Sequence, residues 1–80
     1  VNPARERIGD WTTPHGNNVV VFYRPIKEGL GEVELEWDDP PPLSPADGAD
    51  YQERILPAIV ARLREFTEAV GPALVVSAAP

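Results

Sequence analysis

Three features of this 80-residue sequence predict an α+β domain with a mainly antiparallel sheet. Glu32-Val33-Glu34-Leu35-Glu36-Trp37 alternates strictly, the pattern of a strand with one wet face and one buried face. Val19-Val20-Val21-Phe22-Tyr23 is β-branched and aromatic throughout, the residue set that suits a pleated sheet. Ile55, Leu56, Ile59, Val60, Leu63, Phe66 and Val70 recur at three- and four-residue spacing and define the apolar stripe of a helix.

The elements follow in chain order. Residues 1–18 read as an irregular arm or a short strand near Ile8–Trp11, closed by the turn formers Thr13-Pro14-His15-Gly16-Asn17-Asn18. Strand 19–23 is apolar on both sides, so both should be covered. Pro25 ends its regular pairing or places it at a bulge. Glu28-Gly29-Leu30-Gly31 reads as a hairpin connection into strand 32–37. Val33, Leu35 and Trp37 then face the core while the three glutamates face water.

Residues 38–49 form a Pro-rich connector, because consecutive prolines remove donors and hold their neighbours extended. Two helix starts compete after it: Ser44 with Pro45 and Asp47, or Asp50 with Glu53 as a capping box. The box at Asp50 is preferred. Pro57 lies inside the helical pattern, where an interior proline costs about 3 kcal/mol, so the helix is expected to kink or divide there. Gly71-Pro72 stops it, and residues 73–77 form a last strand. The order is β-β-α-β, with one long kinked helix on one face of a three-stranded (with the arm, four-stranded) sheet. Strand 19–23 is placed between 32–37 and 73–77. One helix covers one face, which leaves Val20 and Phe22 on the other.

A single domain of this length buries only about 60% of its unfolded surface, and there is no cysteine to staple it. With 42% hydrophobic and 25% charged residues the composition is globular. The net charge is −6, and nine acidic residues but no basic one lie between Lys27 and Arg54. That sign repels phosphates and anionic lipid, so direct nucleic-acid or membrane binding is not expected. No apolar run approaches the roughly 20 residues of a membrane span. The expected setting is the cytoplasm, and six arginines against one lysine suggest a GC-rich bacterial source. The chain has no methionine and begins at Val1, which leaves both an excised piece and a start codon written as valine open.

No pattern of catalytic residues stands out. His15 is the sole histidine, which rules out a histidine cluster for a metal, and its neighbours Asp10, Thr12 and Thr13 specify no geometry. Ser44 and Ser77 sit in no nucleophile elbow, and Gly29 and Gly31 precede no helix that would make a phosphate loop. Glutamates two apart on a strand are separated by about 6.5 Å, too far to converge on calcium. No cofactor or metal is expected. The ladder Glu32, Glu34, Glu36 is read either as charge protecting an edge strand or as a docking stripe for a basic partner. Trp37 continues a buried face, whereas Trp11 suits the core or an interface.

The expected function is therefore a non-catalytic protein-interaction module: a small accessory, regulatory or inhibitory protein that binds another protein or a second copy of itself. Trp11, Val20, Phe22, Glu32, Glu34 and Glu36 are its candidate contact residues. The alternative is a small-molecule-binding or enzymatic domain whose site is completed at an oligomer interface or in a longer chain. A pocket lined by His15 and an acidic partner would favour it.

Overall fold

The computed structural model describes residues 5–27, 30–66 and 74–79. It confirms an α+β fold, with β1 (Glu6–Thr12), β2 (Asn18–Lys27), β3 (Leu30–Trp37), α1 (Pro45–Asp50), α2 (Leu56–Leu63) and β4 (Leu74–Ala79). A π-helical turn, Tyr51–Ile55, joins α1 to α2 in one 19-residue helix. The expected β-β-α-β order is corrected: three strands precede the helix, because the amino-terminal arm forms a full seven-residue strand.

Strands pair in the order β1-β2-β3-β4. The first three are antiparallel to their neighbours, and β4 runs parallel to β3. This corrects the placement of strand 19–23 beside 73–77. The free side of β2 is taken by β1, so the returning strand adds beside β3. It also makes β3 an interior strand, and the edge-protection reading of its glutamates falls. The edges are β1 and β4.

The edge at β1 is blunted by other means. Its register slips between Arg7 and Gly9, a bulge that sends Ile8 into the core. Two backbone carbonyls of the strand are occupied by the helix: Arg62 Nε donates to Ile8 O at 2.8 Å and Arg54 Nη2 to Thr12 O at 2.7 Å. An edge treated this way offers few groups to a foreign strand.

The core lies between the helix and one face of the sheet. Val19, Val21 and Tyr23 of β2 and Val33, Leu35 and Trp37 of β3 meet Ile8, Ile55, Ile59 and Leu63. Tyr51 packs its ring on Trp37 with centroids 5.6 Å apart. Gly31 is needed here for close approach, since a Cβ at that position would collide with the Tyr23 ring. Pairing does continue past Pro25, which lies opposite Gly31, and the ladder slips between Pro25 and Lys27, in keeping with a bulge.

The helix starts at Ser44 rather than at Asp50. Ser44 Oγ accepts from Asp47 N at 3.2 Å and Pro45 opens the first turn, the arrangement in which a missing N–H costs nothing. Asp50 instead takes both an Nε and an Nη2 bond from Arg54, at 2.9 and 2.8 Å. The connector consequently ends at Ser44, short of the expected residue 49. Pro57 sits at the start of α2, directly after the π turn, so the expected division falls there as a change of helix type within one continuous helix. Ile55, Ile59 and Leu63 form the buried stripe, whereas Leu56 is 37% exposed and leaves it. Val70, Gly71, Pro72 and the hairpin residues Glu28 and Gly29 lie outside the described residues. Among those described, no helix is long and apolar enough to cross a membrane.

Candidate functional site

Two regions gather the groups that a partner or ligand would meet. The first is the sheet face turned away from the helix. Side chains directly opposite one another on paired strands share a face, and the register sets Val20 against Glu36, Phe22 against Glu34 and Arg24 against Glu32. On the other side Arg7 lies opposite Phe22 and Asp10 opposite Val20. Five of the six expected contact residues therefore share one surface: Val20, Phe22, Glu32, Glu34 and Glu36, all half-buried. Trp11 does not join them. It lies opposite Val19 on the helix side, covers Gly9 and packs against the core.

The acidic ladder is answered within the chain. Arg5 Nη1 bonds Glu36 Oε2 at 2.6 Å and Glu34 Oε1 at 3.2 Å, and its guanidinium lies 3.8 Å from the centroid of the Phe22 ring. Those carboxylates hold the Arg5 pKa above its ordinary value, the hydrogen bond that Arg5 donates to Glu36 contributing most. Arg24 pairs with Glu32, and Arg7 with Asp10 at 2.8 Å. The sequence reading missed Arg5, because nothing local to a lone arginine indicates that it will reach across β2 to β3. Its hydrophobic stem and flat head cover part of Phe22.

The second region is where the turn after β1 meets the start of the helix. Asp47, 4% exposed, is held from three directions. Thr13 Oγ1 donates to Oδ2 at 2.7 Å, while the His15 backbone N–H (3.3 Å) and ring Nδ1 (2.8 Å) reach Oδ1. Burial opposes ionisation of this carboxyl, but the bonds from Thr13 and His15 outweigh it and hold the pKa below the ordinary 3.8. An ionised Asp47 requires the proton of a neutral His15 on Nδ1, which leaves the Nε2 lone pair free. The ring is 66% exposed.

Asn17 locks the same turn to the connector. Its amide donates to Asp39 O and accepts from Asp39 N, both at 2.9 Å. Gly16, at φ +86°, supplies the left-handed step that closes the turn. Between turn and connector opens a concavity of about 320 Å³, lined by His15, Asp39, Pro40, Pro42, Leu43 and Ser44 among others. Of the sequence neighbours Asp10, Thr12 and Thr13, which specified no geometry, only Thr13 joins His15, through the shared Asp47 carboxylate. That carboxylate is 32 residues from His15, delivered by the fold of the connector. A group of three or more metal-ligating side chains is absent among the described residues. No family model matches the chain, nor does any curated protein or solved structure.

Proposed function

We propose that this chain is a non-catalytic protein-interaction module that docks another protein on the open face of its sheet. One observation supports this above the others: Val20 and Phe22 occupy the middle of that face while the described helix is spent entirely on the opposite one. Apolar side chains framed by charged neighbours are the usual makeup of a docking patch. The internal pairing of Glu32, Glu34 and Glu36 with Arg5 and Arg24 shifts support away from an acidic inhibitor of a basic target. A partner of mixed polarity is the better complement, with an apolar strip that takes the place of Arg5 over Phe22.

The test compares capture by the wild-type chain and by Phe22→Ser, washed at low and high salt, with the mass of each eluate determined. A stoichiometric partner retained at high salt and lost in Phe22→Ser supports the proposal. A dimer lost in the same variant would make the partner a second copy. Binding lost to salt but indifferent to Phe22→Ser would return the function to the acidic ladder. A monomer that captures nothing through this face would end the reading.

The second reading, a small-molecule-binding domain, has its own observation: His15 and a buried acidic partner line one concavity. Saturable ligand binding that perturbs His15 would support it.

A further inference from the structure

Resting on that second reading, we infer that the concavity between the β1–β2 turn and the Pro-rich connector binds a small, non-anionic aromatic ligand bearing a ring hydroxyl. The class follows from the unspent groups on the walls. His15 Nδ1 is committed to Asp47, so a neutral ring offers Nε2 as an acceptor for a ligand O–H. Ser44 Oγ already accepts from Asp47 N, so its own hydroxyl hydrogen is free to donate back to the ligand oxygen. A phenolic hydroxyl gives and receives one hydrogen bond, the chemical complement of one acceptor and one donor on the same lining.

The remaining walls choose the rest of the molecule. Pro40, Pro42 and Leu43 are apolar, and proline rings present flat C–H surfaces on which an aromatic ring packs. The carboxylates of Asp39 and Asp47 set a negative potential that excludes carboxylate and phosphate ligands. About 320 Å³ lies at the lower end of ligand pockets, suited to one ring with short substituents. Asp47 and Asn17 are the positioning residues. One holds the imidazole from the helix and the other pins the Asp39 backbone to the turn.

The experiment is a titration of the isolated chain with 4-methylphenol and with 4-methylanisole, its methyl ether, read by the NMR signals of the His15 ring and the Leu43 methyls. The ether keeps the ring and loses the donor. The expected result is saturable, coincident shifts at both residues with 4-methylphenol, a dissociation constant on the order of 1 mM, and binding of the ether weaker by about three- to tenfold. His15→Ala, an exposed position, should retain the fold by circular dichroism and erase the difference between the two ligands. Equal binding of both ligands to the wild type would overturn the hydroxyl class while leaving a small-molecule site in place. Shifts at neither residue with either ligand would overturn the site itself and leave the docking face untouched.

Discussion

The two faces of β2 and β3 differ by one residue in register and behave as different materials. Val19, Val21, Tyr23, Val33, Leu35 and Trp37 point toward the helix and are buried at 9% exposure or less. Val20, Phe22, Arg24, Glu32, Glu34 and Glu36 point the other way and remain half-buried, bound to one another and to Arg5. The first face is held by apolar area removed from water; the second by ion pairs at the surface, which contribute little each. The contrast separates what the domain uses to fold from what it has left over to bind with.

The strongest way to break that comparison is to truncate one residue from each side. Ile55→Ala, in the fully buried stripe, should cost about 2–5 kcal/mol in urea unfolding. Phe22→Ala should cost about 1 kcal/mol. Equal losses would show that the open face is core, and the docking proposal would lose its basis. Next in size is Gly31→Ala, expected to cost about 1–3 kcal/mol through overpacking against Tyr23. A Tyr23→Leu background should shrink that cost, and a cost independent of Tyr23 would contradict the packing.

The choice between helix starts gives a smaller effect. Ser44→Ala should lose about 1 kcal/mol as a helix cap, more than Asp50→Ala, whose carboxylate caps nothing. The reverse order would restore the capping box at Asp50. The smallest expected change is on the acid limb of stability. Asp47 has a folded pKa below its ordinary 3.8, so its contribution is complete above that pH. It is lost as pH falls below 3.8 through the folded value, because the unfolded chain then binds the proton more readily. Asp47→Asn should flatten this part of the pH profile relative to wild type. An unchanged slope would show that the carboxylate gains nothing from Thr13 and His15.

The same division governs how much could be read from residues alone. Patterns with a short period survive into the structure: β3 keeps Val33, Leu35 and Trp37 inside, and the helix keeps Ile55, Ile59 and Leu63 inside. The open placement of Val20 and Phe22 was legible for the same reason. What failed depended on contacts between distant segments. The arm became a strand because β2 had an unpaired side to offer, and that displaced β4 to β3 and turned the acidic ladder into an interior row. Ser44 won the helix start because capping there also delivers Asp47 to Thr13 and His15, a gain that no local window contains.

By itself, then, the sequence determined the α+β class, the antiparallel pairing of β2 with β3 and the buried face of each of these strands. It also determined the helix with Ile55, Ile59 and Leu63 inside, though not the exposure of Leu56. Each rests on backbone periodicity, and a side chain's direction along a strand or helix is set by its immediate neighbours. Tertiary structure alone decided the strand order, the arginine caps on the β1 edge, the folding of Arg5 over Phe22 and the meeting of His15 with Asp47. These are choices among pairings of similar local merit, settled by which combination satisfies the most buried polar groups and covers the most apolar surface at once.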